Sequence, residues 1–373
     1  MRSLLSLGCC LFLFMMGATS RGAEGATARG AEGATSRGAE GATLSAGAAS
    51  VDISPQTLPA FQNGGFLQAK SGRVVDPLHA RSLVISDGSE TIAIVIVDSC
   101  MLPTPLCDQI KQMAKQETGI PDDRILISAT HTHMAPAAMR CLGCPADQSY
   151  VRNLPGRVAK SIIEAYRNQQ PAKIGWAVVD GGDLTNCRRW ITRSDQMGVD
   201  PFGQRTVRAM MHPGYQNPSY TSPAGPVDPW LSVLSVVSSE DQSPICVMAN
   251  LSMHYFGGGG FSADYFGEVS RLLKQRTEEK LNKKLPTFVG VMSQGTSGDL
   301  HWMDYSKPPR PAFSSRAHWR RSLEGSRKPI SKRFSAIART WSDRYSIEDR
   351  ASITRLATRS EYCCRLIVCR GLL

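Results

Sequence analysis

The chain has 373 residues, of which 42% are hydrophobic and 20% are charged, and its mean hydropathy is −0.21. These values are typical of a soluble globular protein and exclude a protein with many membrane spans. The net charge of +11 at first suggests a nucleic-acid binder. However, residues 306–373 carry 16 Lys and Arg against 5 Asp and Glu, so the whole excess lies in this tail. Nucleic-acid binding is therefore not predicted for the rest of the chain.

The first 20 residues have the pattern of a secretory signal peptide. Arg2 gives a basic start, and the uncharged apolar run at 4–16 is too short for an ordinary membrane span. A retained membrane anchor is the alternative interpretation. Residues 21–47 consist largely of near-identical repeats of eight residues rich in Gly and Ala, which predicts a flexible low-complexity linker. We therefore expect a secreted or periplasmic protein.

Beyond the linker, the composition becomes that of a folded domain. Strands are predicted at 82–86, 92–97, 125–130, 231–237, 245–250 and 288–292. Most of them are apolar on both faces, as in a sheet that is covered on both sides. Helices are predicted at 104–118, 157–166 and 267–281, and residues 170–230 are expected to form long loops. The alternation of strands and helices predicts an α/β (mixed α+β) domain at 48–305, with a layered mixed sheet flanked by helices.

Residues 306–373 differ in character from the domain before them. They contain thirteen Arg and three Lys, and their apolar residues have only a weak periodicity. We interpret this segment as a basic atypical tail that arose by a shift of reading frame. The alternative is a genuine basic surface tail.

Two histidines, His131 and His133, directly follow the predicted strand at 125–130. Their spacing places both imidazoles at the carboxyl end of a strand, which is where open α/β sheets hold their sites. Neutral imidazole nitrogen is a good zinc ligand, and a catalytic zinc takes about three protein ligands plus water. The chain has only 7 histidines, so two within three positions favour a metal site over an idle surface pair.

A further candidate ligand is His254, which follows the predicted strand at 245–250 and precedes the glycines at 257–260. Glycines allow a backbone to approach a ligand closely. A single histidine at a strand end is more often structural, but His254 is able to supply the third nitrogen of the same site. Asp264 is predicted either to orient an imidazole or to cap the helix that follows.

Ser297 lies in a turn of small residues, QGTSGD at 294–299, directly after the predicted strand at 288–292. Such a turn exposes a hydroxyl and backbone N–H groups, although an ordinary glycine turn is the alternative. The pattern is not the GxSxG elbow of α/β-hydrolases. In NCRRW at 186–190, one of the two arginines, Arg188 or Arg189, is able to bind a substrate oxygen or a carboxylate, but a surface ion pair is the favoured role from the residues alone.

Taken in order along the chain, these segments resemble the neutral/alkaline non-lysosomal ceramidase family. The earliest matching segments are ASVDISP at 49–55, LHAR at 78–81 and IVIVD at 94–98. The segment SATHTHMAP at 128–136 is similar to the family's THTHxGP motif, and QGTSGD is similar to its QGxSGD motif. NCRR at 186–189 resembles the family's Asn/Arg loop, and MH at 253–254 resembles its second zinc histidine. The resemblance covers about residues 48–305.

The resemblance implies a zinc-dependent (Zn2+) hydrolase that cleaves the amide bond of N-acyl sphingoid-type lipids and releases a fatty acid and a long-chain base. His131 and His254 would be zinc ligands, and His133 would lie beside the zinc-activated water. Arg189 would contact the substrate, and Ser297 would be the catalytic serine. A lipid amide substrate also implies peripheral membrane contact.

The chain departs from the family pattern after the serine motif. The family completes its zinc site with a downstream Glu and Tyr, and neither maps onto residues 306–373. The resemblance therefore implies a truncated N-terminal catalytic domain, and an inactive one is an alternative. Two other hypotheses stay open: a different secreted metal-dependent esterase or hydrolase, and a non-catalytic secreted protein that binds zinc weakly or not at all.

Overall fold

The computed structural model describes residues 44–182 and 184–309. The predicted signal peptide, most of the predicted linker and most of the basic tail lie outside these described residues. The first strand, β1 (Ser45–Asp52), begins inside the segment assigned to the linker. Among the helices of the described ranges, none has both the length and the apolar character needed to cross a membrane.

The remaining elements are named here in chain order. The other strands are β2 (Ala60–Gln62), β3 (Ala69–Ser71), β4 (His79–Ser86), β5 (Thr91–Val97), β6 (Ile125–Ala129), β7 (Gln170–Asp180), β8 (Asn186–Cys187), β9 (Arg189–Thr192), β10 (Ala209–Met211), β11 (Tyr220–Pro223), β12 (Trp230–Ser238), β13 (Pro244–Leu251), β14 (Val289–Gln294) and β15 (Leu300–His301). The helices are α1 (Thr104–Thr118), α2 (Gln148–Arg167) and α3 (Asp264–Leu281).

Eight strands form one mixed sheet in the order β14-β13-β12-β7-β1-β4-β5-β6. The sheet is almost divided at its centre, because β1 and β7 pair only through Ser45 and Ala46 of β1. By contrast, β1 pairs with β4 along its whole length. β14 is at one end of the strand order, and β5 and β6 are at the other. Nevertheless, β14 lies against β5 and β6. The two halves of the sheet therefore face each other.

Three hydrophobic clusters fill the layers. The first lies between α1, α2 and the half-sheet that contains β4 and β5, and the second lies between α3 and the half-sheet that contains β13 and β14. The third lies between the two halves and includes Leu83, Ile96, Val236 and Val291. Because the strands are buried on both faces, they have continuous apolar runs. The predicted layered mixed sheet flanked by helices is confirmed.

The six predicted strands all overlap observed strands, and α1 has the predicted bounds. The helix predicted at 157–166 is longer than expected, because α2 starts at Gln148 and continues through Pro155. Its start is fixed by the carboxylate of Asp147, which accepts a hydrogen bond from the backbone N–H of Tyr150 at 3.1 Å. A proline inside a helix usually indicates a break. Because of Pro155, the sequence pattern did not predict the first turns of α2.

Although residues 193–208 connect β9 and β10 without a strand, the prediction of long loops is wrong for much of the range 170–230. This range contains β7 to β11, and β7 pairs with β12 along nine residues, from Ala172 to Asp180. Most residues of β7 are partly exposed, so its sequence lacks the continuous apolar run of a strand that is buried on both faces. Its partner strand, which is distant in sequence, supplies the hydrogen bonds that hold it in the sheet.

The parallel strand pairs position the candidate functional residues. His131 and His133 follow β6, which is parallel to β5. His254 follows β13, and Ser297 follows β14, and these two strands are also parallel. Within each pair the two strands end at the same edge, and the packing of β14 against β5 and β6 brings the residues that follow the two pairs together.

Candidate active site

Three imidazoles converge at this edge of the sheet. The ring centroids of His131 and His133 are 4.6 Å apart, those of His131 and His254 are 4.9 Å apart, and those of His133 and His254 are 5.3 Å apart. Two imidazoles bound to one tetrahedral zinc, with Zn–N bonds of about 2.0–2.1 Å, have centroids about 5 Å apart. The centroid spacings of the three rings are therefore close to those of imidazoles that bind one zinc.

Backbone carbonyls fix the orientation of two of the rings. His131 Nδ1 lies 2.7 Å from the carbonyl oxygen of Cys100, and His254 Nδ1 lies 3.1 Å from that of Ser297. Since a carbonyl oxygen only accepts, both Nδ1 atoms carry the proton and both Nε2 atoms carry a lone pair. Metal-binding histidines typically hold their second nitrogen in this way.

His133 completes the group of imidazoles. Its Nε2 lies 3.1 Å from His131 Nε2, close to the separation of about 3.3 Å expected for two nitrogens on one tetrahedral zinc. One face of the ring stacks on Tyr255 at a centroid distance of 3.7 Å. Gly64 packs against the other side with φ +108°, and a Cβ there would lie 2.6 Å from His133 Cβ. Only glycine fits at that position.

Cys100 lies beside the imidazoles. Within the described ranges, the donor atoms of Cys100, His131 and His133 all lie within 4.8 Å of one another, and neither His254 nor a carboxylate is part of this group. The thiol is a poor candidate ligand, because Cys100 Sγ is 3.8 Å from the same Nδ1 of His131 that is already bonded to the Cys100 carbonyl oxygen. Burial also raises the pKa of this thiol to about 12, so it is uncharged at neutral pH.

The electrostatics favour neutral imidazoles. Burial, followed by the neighbouring imidazoles, lowers the pKa of His133 to about 3. Burial, followed by the charge of Arg188, lowers the pKa of His254 to about 4. Both rings are therefore neutral at pH 7, and neutral imidazole is the form that binds zinc. The donor set fits a zinc ion held by nitrogen ligands.

A second pair of histidines, His212 and His301, extends the cluster. Their ring centroids are 5.3 Å apart, and His301 is 6.2 Å from His254. His301 is only 4% exposed, and its Nδ1 has no hydrogen-bond partner among the described residues. His212 Nδ1 is hydrogen-bonded to the hydroxyl of Tyr305. Five of the 7 histidines of the chain thus converge, and a count of histidines near the predicted motifs would have suggested His301.

Ser297 lies in the site that the imidazoles form. It is buried, and its backbone carbonyl accepts hydrogen bonds from His254 Nδ1 and from the N–H of Leu300, both at 3.1 Å. The structure therefore brings together His131, His133, His254 and Ser297, although their roles in catalysis and metal binding stay predictions.

The structure places Arg188, rather than Arg189, beside the histidines. Arg189 is exposed at the start of β9. Arg188 is half-buried, and its Nε and Nη2 donate to the carbonyl oxygen of Gly298 at 3.1 and 2.6 Å. Successive residues of an extended chain point to opposite sides, so only one of two adjacent arginines faces the site. The sequence pattern does not show which one.

Asp264 stabilises the loop that follows His254. Its carboxylate accepts hydrogen bonds from the backbone N–H groups of Phe256, Gly257 and Tyr265 at 3.1, 2.9 and 2.6 Å. It is the first residue of α3 and has no hydrogen bond to an imidazole in the described part of the chain. The expected role in orienting an imidazole is therefore not observed, and Asp264 instead fixes the backbone at the start of the helix.

We expect the metal-free protein to be less stable at pH 4.5 than at pH 7. The unfolded chain protonates histidine near pH 6.5, whereas the folded pKa values are about 3 for His133 and His301 and about 4 for His254. The folded state thus binds fewer protons, and stability is lost as the pH falls below about 6.5. Burial raises the pKa of Asp264 to about 6, which acts in the opposite direction, but this is one smaller shift against three.

Thermal unfolding at the two pH values measures this effect. We expect a midpoint at least about 5 °C lower at pH 4.5, and a smaller difference in His301→Phe, which has one buried imidazole fewer. An equal or higher midpoint at pH 4.5 in the metal-free wild type would contradict the environment that the structure gives these rings.

No family model and no curated protein matches the sequence. Solved structures do match the fold. Neutral ceramidase from Pseudomonas aeruginosa aligns with a TM-score of 0.57 and 16% identity, over 76% of this chain and 43% of that one. A "ceramidase complexed with C2" aligns with a TM-score of 0.53 and 17% identity, over 70% of this chain and 39% of that one.

The chain thus spans about two fifths of the length of these ceramidases. At this level of identity, the similarity concerns the arrangement of the strands and helices. The described part of the chain has a neutral ceramidase-like fold.

Proposed function

We propose that the protein is a zinc-dependent hydrolase that cleaves the linear amide bond of N-acyl lipids, with N-acyl sphingoid-type lipids as the first candidates. The products would be a fatty acid and a long-chain base. One observation carries the proposal: the imidazoles of His131, His133 and His254 converge beside Ser297 in a neutral ceramidase-like fold.

The chain's own residues would hold the metal in a rigid geometry. His131 and His254 would bind zinc through Nε2, because carbonyl oxygens hold both of their Nδ1 atoms. His133 Nε2 faces the same position. Zinc, when bound, supplies a Lewis acid that polarises the amide carbonyl group.

The groups around the metal position would perform the remaining steps. Ser297 presents a hydroxyl at the end of β14, where the following turn also offers backbone N–H groups to a developing oxyanion. The neutral ring of His133 is able to accept a proton from the attacking group. We assign contact with the substrate to Arg188, because its guanidinium is held beside the histidines and Arg189 is exposed.

We further propose that the protein acts outside the cytoplasm, as a secreted or periplasmic enzyme, and contacts membranes only peripherally. The first part depends on the signal-peptide pattern of residues 1–20, which are outside the described part of the chain. The second part depends on the lipid nature of the proposed substrate.

An assay of the purified chain, with zinc and after chelation, tests the proposed function. N-palmitoylsphingosine and a palmitoyl ester of a soluble alcohol serve as the paired substrates. We expect zinc-dependent release of palmitate, faster from the amide than from the ester. Cleavage of the ester alone would instead favour a different metal-dependent hydrolase. Absence of any cleavage by the zinc-loaded protein would favour a non-catalytic protein.

A further inference from the structure

Arg188 is a half-buried cation without an ion-pair partner. Ten ion pairs are present among the described residues, and none of them includes Arg188. Asp299 is the acidic residue whose charge acts on it, but its carboxylate does not approach within ion-pair distance. A partly desolvated guanidinium that has no anion nearby is costly, so proteins usually pair such a group.

The backbone around Arg188 holds its guanidinium in place. The N–H of Arg188 donates to the carbonyl oxygen of Asp299 at 2.8 Å, and the carbonyl oxygen of Arg188 accepts from the N–H of His212 at 2.9 Å. At the side chain, Nε and Nη2 are both bonded to the carbonyl oxygen of Gly298. The third nitrogen, Nη1, has no hydrogen-bond partner in the described ranges, and it is free to bind a ligand.

The negative charge that acts on Arg188 is that of Asp299, which lies beyond ion-pair distance. The charge of Arg188 acts on His133, His212, His254 and His301, and no carboxylate is among the main influences on any of these rings. Zinc bound by neutral imidazoles would add a further positive charge. The positive charge of Arg188 therefore acts on all four of these rings, and such a charge favours the binding of an anion beside them.

A second polar atom in the same region also lacks a partner. Nδ1 of His301 has none among the described residues, although the residue is 4% exposed. The His301 ring lies 5.3 Å from that of His212, whose backbone is bonded to Arg188. Buried polar atoms normally have a partner, so an unpaired one on which the charge of Arg188 acts points to a ligand group that binds in this region.

We propose that the substrate carries an anionic oxygen group, a carboxylate or a phosphate, close to the scissile amide, and that Arg188 binds this group. The inference rests on the proposed function, because it selects among the N-acyl lipids that the site would cleave. The planar guanidinium matches the geometry of carboxylate and phosphate oxygens. A neutral lipid amide would leave the guanidinium unpaired.

Paired substrates that differ only in this charge test the proposal. N-palmitoylglycine is compared with N-palmitoylethanolamine, and ceramide 1-phosphate is compared with ceramide, so the two pairs separate a carboxylate from a phosphate. We expect kcat/KM to be at least about tenfold higher for the anionic member of one pair, as for a hydrogen bond to a charged group. Equal kcat/KM within both pairs in the wild type would overturn the proposal.

Three arginine variants identify the residue that is responsible. Arg188→Gln should remove the preference for the anionic member, whereas Arg193→Gln, which breaks an exposed ion pair with Asp195, should retain it. Arg189→Gln decides between the adjacent arginines and should also retain the preference. If Arg189→Gln removes it and Arg188→Gln does not, the assignment to Arg188 is wrong.

A binding measurement on the zinc-free protein separates this proposal from the proposed function. By calorimetry, the wild type should bind N-palmitoylglycine at least about tenfold more tightly than N-palmitoylethanolamine, and Arg188→Gln should bind both equally. If no amide is cleaved but this preference is found, the proposed function fails and the anion site stands. Equal binding of both lipids by the wild type would overturn the anion site.

Discussion

Replacement of His131 with alanine is expected to abolish stoichiometric zinc binding and, with it, amide hydrolysis. His131 is central to the cluster, because its Nε2 lies 3.1 Å from His133 Nε2 and its ring centroid lies 4.9 Å from that of His254. Even the loss of a group that only orients a ligand typically costs about 10- to 100-fold in metal affinity, so the loss of a ligand should cost more. The amount of zinc per chain is measured by atomic absorption after dialysis.

His79→Gln is the matched control for this experiment. His79 is a partly buried histidine in β4, and its backbone N–H, which the substitution retains, donates to the carboxylate of Asp98 at 2.8 Å. This variant should keep its zinc. An unchanged zinc content in His131→Ala would show that the ligand assignment is wrong, whereas loss of zinc from both variants would indicate general unfolding.

Replacement of Ser297 with alanine should reduce turnover by about a hundredfold or more while zinc stays bound. The two effects separate because His254 Nδ1 is bonded to the backbone carbonyl of Ser297, which the substitution leaves intact. Turnover on the best amide substrate and zinc content are measured on the same preparation. Ser306→Ala, which changes an exposed serine, provides the matched control.

Normal turnover in Ser297→Ala would exclude the Ser297 hydroxyl from the mechanism. Loss of zinc in that variant would instead give the residue a structural role. Both results are distinguishable from the expected one, in which only turnover is lost.

The local sequence patterns predicted much of the fold. Strands such as β5 and β13 are continuous apolar runs, and such runs indicate burial without reference to any partner. The face-to-face packing of the two half-sheets was not predicted, since it depends on contacts between strands that are distant in sequence, such as β14 with β5. The long strand β7 was missed for a related reason: β12 holds it in the sheet, and its own pattern is that of a partly exposed segment.

The candidate site was predicted where functional residues lie in short motifs or, for His254, just after an apolar strand. His131, His133 and Ser297 belong to short motifs at strand ends, and the structure brings them together. His212 and His301 are single residues in sequence, and only the fold places them in one cluster. Similarly, the choice between Arg188 and Arg189 depends on which side of the backbone faces the imidazoles. The residue types alone do not show this.

X-ray absorption at the zinc edge of the purified full chain tests the central claim most directly, namely that His131 and His254, which are distant in sequence, share one ion. We expect one zinc per chain with the nitrogens of His131 and His254 at about 2.0–2.1 Å, and one imidazole fewer in His254→Ala than in the wild type. Zinc surrounded mainly by sulfur at about 2.3 Å, or an imidazole count that does not change in His254→Ala, would contradict it.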